Sequence, residues 1–454
     1  MKKLLPVLAV LIFSSCSFDN KTGIWKDASD ISVDNKQSKS ISKNLPGIIY
    51  ENVSTKNIIY NEEKDAVNLS NFEIDNPIKI SYWFEQFAIP TNNISNISYS
   101  GNKRLLYKSP KLSSVSSSKN RNIIFYDNNL ISHDQKGTIF IFSLSLNKKI
   151  FEYNFYKKNF ENINKELNFI VNDNFLYVSD NLGYLYAINL DNKSIIWAKN
   201  YGIPFRSNLK FINNEIFLAN QDNVIYAINA NTGEKNWQFQ TSLTFLKSDF
   251  VNNFALDLIN SNLIFLNTSG ELYSINFESQ KINWVLNFKN SSLAGDTELF
   301  LSHPIVIKNN NLTISTEKFL LNYDTVTASR NWMFSSESIF KPIITSNYIY
   351  VILKNDLLVC LENASGKVIW SKNIFTNLKD KKIKNKFGLI SDFKIVNSEI
   401  YIYSKNGYLF TFNPSNGALT FFNEISKNGI SSEIVFLDNN MLFLDNDNKL
   451  LKFN

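Results

Sequence analysis

Short runs of alternating apolar and polar residues, each ended by a turn, recur along most of the chain. In the stretch NVIYAINANTGEKNWQF (223–239), the alternating run VIYAIN meets the turn sequence ANTG and then a second run that carries Trp237. Alternation with a period of two predicts a β-strand with one buried face, and the Asn-Thr-Gly sequence predicts a tight turn. This stretch is therefore predicted to be a β-hairpin.

The same hairpin pattern recurs along the chain, with an apolar or aromatic residue at position i and a large ring at i+11. The aligned pairs are Phe140/Phe151, Tyr186/Trp197, Tyr226/Trp237, Tyr273/Trp284, Leu321/Trp332, Val359/Trp370 and Phe410/Phe421. Further strand-like sequence precedes each hairpin, and successive rings lie 38 to 51 residues apart. Four short strands repeated at this period predict the blades of a β-propeller.

The final residues predict an eighth blade that lacks its own last strand. NKLLKFN (448–454) aligns with GYLFTFN (407–413), which is the third strand of the preceding unit. An open sheet edge favours aggregation, so a strand from elsewhere is expected to complete the blade. The strand-like segment PIKISYWFEQF (77–87) lies before the first unit and carries Trp83. We predict an all-β, eight-bladed propeller over 78–454, closed by residues 78–86 with Trp83 near Phe453.

The large rings allow a functional and a structural interpretation. The predicted blade rings are Trp83, Trp197, Trp237, Trp284, Trp332 and Trp370. They could form a cofactor box, or they could pack between neighbouring blades. An aromatic side chain that recurs once per blade buries a large apolar area. The structural interpretation is favoured, and no cofactor is predicted.

The N-terminal stretch MKKLLPVLAVLIFSSC predicts a secretory signal, with two lysines, a short apolar core and small residues before Cys16. The sequence FSSC is similar to the bacterial lipobox, which implies a lipoprotein signal peptide over 1–15 and lipidation of Cys16. Ordinary cleavage beside an incidental cysteine is the alternative. The polar residues 16–77 are predicted to be a lipid-anchored tether. Ser17, by its resemblance to known sorting rules, implies the outer membrane.

The amino-acid composition excludes several kinds of binding site. The 454 residues are 44% hydrophobic, enough for a large core, and the net charge of +6 is spread over a long chain rather than concentrated on one face. No nucleic-acid partner is therefore predicted. Two cysteines and two histidines exclude CxxC zinc sites, CxxCH haem attachment and a disulfide framework. No metal site and no catalytic residues are predicted, and no later segment is apolar for 18 residues.

The repeats resemble a known family. ANTGEKNW (230–237) and NASGKVIW (363–370) resemble PQQ-type repeats, and the lipobox-like start with a single eight-bladed propeller resembles the BamB family, its alphaproteobacterial branch most of all. That resemblance implies a non-catalytic scaffold lipoprotein on the periplasmic face of the outer membrane, held there by its lipid anchor only. Its partners would be the barrel-assembly subunit BamA and unfolded outer-membrane proteins, whose insertion it would aid.

The resemblance also points to one loop. The overlong stretch LNFKNSSLAGDTELFLSHP (286–304) matches the inter-blade loop that contacts BamA in the family. It implies partner-binding residues Glu298, Leu299, Phe300 and Leu301, with the apolar side chains as anchors. The alternative is that these side chains fold back onto the propeller.

Two other functional classes stay open at the sequence level. A PQQ-dependent or other quinoprotein dehydrogenase would share the repeat, but the adjacent cysteine pair usual in that class is absent from this sequence. A propeller that binds a ligand or glycan in its central channel would need convergent polar groups there.

Overall fold

The computed structural model describes the backbone and side chains of residues 46–51, 58–66, 72–115, 123–156, 160–242, 246, 253–288, 299–376 and 384–454, and the backbone of residues 382–383 and of three short strands before residue 46. The predicted signal peptide, residues 1–15, lies outside the described residues. Within the described chain, five short strands precede the first blade: β1 (Cys16–Asp19), β2 (Ile24–Asp27), β3 (Lys39–Ser40), β4 (Ile48–Tyr50) and β5 (Leu105–Lys108).

The following strands form seven antiparallel sheets of four and one of three, each in chain order, and β3, β4 and β5 each add a strand to one of these sheets. Blades one to four contain β6 (Ile124–Tyr126), β7 (Asn129–His133), β8 (Thr138–Ser143) and β9 (Lys148–Asn154); β10 (Leu167–Asn172), β11 (Phe175–Asp180), β12 (Tyr184–Asn189) and β13 (Ser194–Asn200); β14 (Lys210–Ile212), β15 (Glu215–Ala219), β16 (Val224–Asn229) and β17 (Lys235–Gln240); β18 (Phe254–Asp257), β19 (Asn262–Leu266), β20 (Glu271–Asn276) and β21 (Lys281–Asn287).

Blades five to eight contain β22 (Val306–Lys308), β23 (Asn311–Ser315), β24 (Phe319–Asp324) and β25 (Arg330–Ser335); β26 (Ile343–Ile344), β27 (Tyr348–Ile352), β28 (Leu357–Glu362) and β29 (Val368–Asn373); β30 (Ile390–Val396), β31 (Glu399–Ser404), β32 (Tyr408–Phe412) and β33 (Leu419–Glu424); β34 (Val435–Leu437), β35 (Asn440–Leu444) and β36 (Leu450–Phe453). One short helix, α1 (Lys382–Phe387), lies in the described part of the connection between blades six and seven. The first strands of blades one to six contact one another in ring order and so line the central channel. The predicted all-β, eight-bladed propeller is confirmed.

Blade eight is completed from the N-terminal side, but not by the predicted segment. β36 pairs antiparallel with β5, with Lys452 opposite Tyr107. In blade seven the corresponding pair places Thr411 opposite the ring of Phe421, so Tyr107 holds the ring position of blade eight. The prediction that residues 78–86 complete this blade is wrong, as is the assignment of Trp83 as its ring. Residues 78–86 lie in the channel, where Trp83 pairs with the first strand of blade one.

Part of the segment predicted to be a tether lies along the outer edges of successive blades. β3 pairs parallel with β17 of blade three, and β4 pairs parallel with β21 of blade four. The N–H of Tyr60 donates to the carbonyl of Ser335 in blade five (3.0 Å). The backbones of Lys64 and Ser371, in blade six, form an antiparallel β-bridge. The described residues between 39 and 66 are called the arm below. The arm is attached to the propeller, which differs from the tether expected for 16–77.

The recurring tryptophans pack between blades. Four indole N–H groups donate to the carbonyl four residues beyond position i of the next blade: Trp197 to Ala230 (2.8 Å), Trp284 to Thr325 (3.0 Å), Trp332 to Asn363 (2.8 Å) and Trp370 to Pro414 (2.9 Å). Trp237 is fully buried in a cluster that joins blades three and four. Each ring therefore joins its own blade to the turn of its neighbour.

The close contact between ring and turn predicts a difference between two glycine substitutions. A Cβ on Gly366 would lie 2.5 Å from the ring of Trp332, whereas a Cβ on Gly202 would meet nothing within 4 Å. Both glycines have positive φ, so alanine at either position is expected to cost about 1–2 kcal/mol of backbone strain. Gly366→Ala should cost about 1–3 kcal/mol more through overpacking. Urea unfolding of both variants measures the difference, and equal costs would show that the ring yields freely.

Candidate functional site

The segment of residues 78–99, called the plug below, crosses the central channel. It contacts the blades in ring order, beginning with blade eight and ending with blade seven. Its backbone contacts in that order are Ile80 with Asp438, Trp83 with Phe125, Phe84 with Val171, Pro90 with Leu256, Thr91 with Ile307, and Ile97 with Ile395 and Asn397. Side chains supply the contacts to blades three and six: Glu85 and Asn92 with Lys210, and Asn93 with Ile344. All eight blades are therefore joined by one short segment.

Asn92 lies at the centre of these contacts. Its Nδ2 donates to the carbonyls of Phe254 (2.7 Å) and Ile305 (2.9 Å), in blades four and five. Its Oδ1 accepts from Nζ of Lys210 in blade three at 2.7 Å. Asn92 has a φ of 59°, a left-handed conformation that asparagine tolerates better than most residues. One amide thus satisfies buried polar groups of three blades.

A buried ion pair fixes the plug to blade three. Nζ of Lys210 lies 2.6 Å from Oε2 of Glu85, and the two side chains are 0% and 6% exposed. Burial raises the pKa of Glu85 and lowers that of Lys210, while their mutual attraction opposes both shifts. Each group is therefore the close counter-ion of the other in a site that is shielded from bulk water.

A second group of ionisable side chains lies against the plug on the opposite side of the ring. These are Lys341 of blade six, Asp392 and Lys394 of blade seven, and Glu433 of blade eight. Nζ of Lys394 lies 2.8 Å from Asp392 and 5.6 Å from the ring centre of Trp83. Nζ of Lys341 donates to the carbonyl of Asn92 at 2.9 Å. Two ammonium and two carboxyl groups therefore converge on the plug.

The position of this group follows from the repeat. Lys341, Asp392 and Glu433 each stand seven residues before the first residue of their blade's second strand, which is Tyr348, Glu399 and Asn440 respectively. Burial raises the pKa of Glu433 to about 7, against the opposing charge of Lys394. Burial also lowers the pKa of Lys341 to about 8, and the charge of Lys394 adds to that shift. Lys341, Asp392 and Lys394 can hold a small polar ligand only by giving up contacts to one another or to the plug.

The described residues offer no ready metal centre. Among them, no three His, Cys, Asp or Glu side chains converge closely enough to hold a metal ion. Cys360 is fully buried in β28, where burial raises the pKa of its thiol well above the usual range. Cys360 is therefore a packed core side chain.

The predicted partner-binding residues are divided by the structure. Glu298 lies outside the described residues. The ring of Phe300 is 6% exposed and stacks on Phe288 with 5.3 Å between ring centres, so it folds back onto the propeller. Leu299 is half-buried and Leu301 is 43% exposed. Leu301 is the member of the set that is best placed to contact a partner.

The N-terminal site stays a prediction. Cys16 begins β1, which pairs with β2 as an antiparallel hairpin of described backbone, while the side chains there are outside the description. In the described portion of the chain, none of the helical structure has the length and hydropathy that crossing a bilayer requires.

Sequence reasoning missed the plug, although two signals for it were present. Glu85 is the one acidic residue in the run SYWFEQFAIP, and Lys210 is the one charged residue in the inner strand sequence LKFI. A lone charge in an apolar run predicts a buried partner of opposite sign. Pairing the two would have placed residues 78–99 against blade three.

The sequence is similar to that of BamB proteins. A family model described as outer membrane protein assembly factor BamB matches residues 154–372, within blades one to six. An uncharacterised protein of Rickettsia conorii is 23% identical over 348 residues, which cover 72% of this chain and 81% of the relative. BamB of Moranella endobia is 19% identical over 54% of this chain and 64% of its own length. BamB of Legionella pneumophila is 31% identical over 74 residues, 16% of this chain and 18% of its own.

Solved structures show the same fold. The crystal structure of BamB from Moraxella catarrhalis matches with a TM-score of 0.60 at 12% identity, over 76% of this chain and 99% of that chain. A quinohemoprotein alcohol dehydrogenase of Pseudomonas putida HK5 also matches with a TM-score of 0.60, at 9% identity, over 83% of this chain and 80% of that chain. The propeller alone thus does not separate the two classes, whereas the family model and the curated BamB relatives favour the first. The chain is a BamB-like β-propeller built of PQQ-type repeats.

Proposed function

We propose that this protein is a non-catalytic scaffold lipoprotein of an outer-membrane β-barrel assembly complex. In this proposal a signal peptide over 1–15 directs the chain to the periplasm, and acylated Cys16 anchors it to the outer membrane. The propeller docks to a BamA-like subunit and aids the insertion of outer-membrane proteins. The observation that carries the proposal is the match of the BamB family model to residues 154–372.

The architecture suits a scaffold. The plug joins all eight blades, and the indole bonds join neighbouring blades in sequence. Such a ring is a rigid platform, and rigid platforms present binding groups on their connecting loops. The exposed Leu301 lies in one of those inter-blade connections, after blade four.

A ligand-binding role ranks second, on one specific observation. Lys341, Asp392, Lys394 and Glu433 converge on the plug, as a polar channel site would require. These charges balance in number, two ammonium groups against two carboxyl groups, and Lys394 pairs with Asp392 while Lys341 donates to the carbonyl of Asn92. A site that already satisfies its own charges binds a further ligand weakly, because the ligand must replace existing contacts.

The proposal is tested by purifying the tagged full-length chain from membranes. A BamA-like subunit is expected to co-purify, and Leu301→Asp should lower its recovery because an exposed apolar side chain that the partner would bury becomes a charge. Ile196→Asp is the matched control. The exposed fraction of Ile196 is 46%, similar to the 43% of Leu301, but Ile196 lies on the outer strand of blade two. Recovery of no barrel-assembly subunit, together with quinone-dependent dye reduction, would overturn the proposal.

The same preparation tests the anchor. Cys16→Ser should move the protein from the membrane fraction to the soluble periplasmic fraction, because the thioether acyl chains are then lost. The folded propeller should be unchanged in that variant. A Cys16→Ser protein that stays with the membrane would place the anchor elsewhere.

A further inference from the structure

The outer strand of blade four is more apolar after its ring than the outer strand of blade two. After the ring Trp284, β21 continues with Val285 and Leu286, which are 1% and 0% exposed. At the same positions β13 of blade two has Ala198 and Lys199, which are half-buried and exposed. An apolar, hydrogen-bonding edge of this kind readily accepts another strand.

The arm shows what such a strand looks like. Ile48, Ile49 and Tyr50 run parallel to β21, opposite Val285, Leu286 and Asn287. The N–H of Glu51 continues the ladder to the carbonyl of Asn287 at 2.9 Å. The carboxylate of Glu51 lies 3.1 Å from the guanidinium of Arg330 in blade five. The edge therefore accepts two apolar residues, an aromatic residue and then an acidic one.

The arm itself is held lightly at this place. Ile48, Ile49 and Tyr50 remain 39%, 44% and 59% exposed, so their own side chains gain little from burial. What remains is a short backbone ladder and one partly buried ion pair, in which the side chains of Glu51 and Arg330 are 14% and 32% exposed. Another extended segment can form the same bonds. The apolar side chains of the arm would then be released.

We propose that the β21 edge of blade four is a binding site for an extended strand of a partner protein, and that the arm is its built-in competitor. The occupant is a segment with the pattern apolar–apolar–aromatic–acidic, seated parallel to β21 with its carboxylate on Arg330. This inference does not depend on the barrel-assembly role, because the edge and the arm are both features of the chain itself.

Because the arm is part of the same chain, peptide binding must be compared between the parent and a variant in which the arm is released. The arm acts at a high effective concentration, so a short free peptide binds the parent protein poorly. Ile49→Pro should release the arm at β4. The N–H of Glu51 points to β21, and the period of two places the N–H of Ile49 on the same side. Proline there removes a ladder donor.

The probe is a fluorescent peptide with the sequence of residues 46–53, PGIIYENV. Anisotropy titration is expected to show that Ile49→Pro binds the peptide at least about tenfold more tightly than the parent does. Ile58→Pro is the matched control, because Ile58 lies in the arm, is 89% exposed and precedes the bonded Tyr60. It should bind like the parent.

A double-mutant comparison tests the acidic end of the pattern. In the Ile49→Pro background, Arg330→Gln should weaken peptide binding by about tenfold, the usual worth of a charge-assisted bond. A peptide in which glutamine replaces the glutamate should bind weakly to both proteins. If Ile49→Pro fails to fold, Glu51→Gln in the full chain loosens the arm by its ion pair alone and should raise binding to a smaller extent. Equal binding by parent, Ile49→Pro and Ile58→Pro would overturn the proposal, as would a folded Ile49→Pro protein that binds no peptide.

Discussion

Lys210→Met is expected to lower the free energy of unfolding by about 3–5 kcal/mol, because it leaves the buried carboxylate of Glu85 without its counter-ion. Bulk solvent is shielded from this carboxylate, since Glu85 is 5% exposed and Lys210 is 0% exposed. Asn92 also loses the donor to its Oδ1. The substitution therefore also weakens the contacts of Asn92, whose side chain bonds to blades four and five. Urea unfolding, extrapolated to water, measures the loss.

Two further variants separate the ion pair from the loss of a long side chain. The double variant Lys210→Met/Glu85→Met should recover most of the stability, because replacing a whole buried pair by apolar residues is often neutral. Lys79→Met removes an ion pair with Asp438 at 3.0 Å, but both side chains are about half exposed. It should cost less than about 1 kcal/mol. Similar costs for Lys210→Met and Lys79→Met would show that the buried pair does not hold the plug.

The pH dependence of the Lys210→Met protein checks the same argument. Burial raises the pKa of Glu85 above its ordinary value of 4.5 in the folded state. In the variant, the charge and the hydrogen bond of Lys210 no longer lower the pKa of Glu85. A carboxyl with a raised folded-state pKa contributes most below its unfolded pKa and loses that contribution as pH rises through the folded pKa. The variant should therefore lie closer to the parent in stability at pH 4.5 than at pH 8.

The ring of blades was predictable because its signals are local. Each hairpin has its own alternating pattern, its own turn and its own large ring. The i+11 spacing is the same in all seven hairpins, although their other residues differ. Trp197, Trp332 and Trp370 show why: each indole must reach the turn of the next blade, and this fixes its place in the strand. A strict spacing of this kind records a ring-to-turn contact that recurs in four of the seven hairpins.

The closing strand was predicted in kind but not in place. Residues 77–87 and 105–108 both follow strand-like patterns, and the first carries the tryptophan that the repeat led one to expect. A blade edge, however, selects its partner by backbone pairing, and Tyr107 serves as the ring there. Local pattern cannot say which of two short apolar runs reaches a distant edge.

The arm was missed for a related reason. Residues 16–77 are polar enough to predict a solvated coil, and composition carries no information about main-chain hydrogen bonds. Once the propeller exists, its outer strands offer unpaired N–H and C=O groups in ring order, and even a polar segment can follow them. Phe72 shows that the attachment continues towards the plug, because its ring stacks on Tyr348 of blade six at 4.5 Å.

Trp370→Ala is the second variant with a large expected effect, about 3–5 kcal/mol of unfolding free energy for a fully buried tryptophan. The side chain is 0% exposed and donates from Nε1 to the carbonyl of Pro414 in the next blade at 2.9 Å. A Cβ on Gly417 would lie 2.6 Å from the same ring, so the turn of blade seven is closed over it. Alanine would leave a cavity between blades six and seven that this rigid turn fills poorly. Urea unfolding measures the cost.

A matched pair of phenylalanine variants separates packing from hydrogen bonding in that cost. Trp237 is also 0% exposed, but within the described residues its Nε1 has no hydrogen-bond partner. Trp370→Phe and Trp237→Phe remove a similar volume, and only the first removes an inter-blade hydrogen bond. Trp370→Phe should therefore cost about 1 kcal/mol more than Trp237→Phe. If the two cost the same, the indole bond adds nothing to blade cohesion, and the constant spacing of the rings must be explained by apolar packing alone.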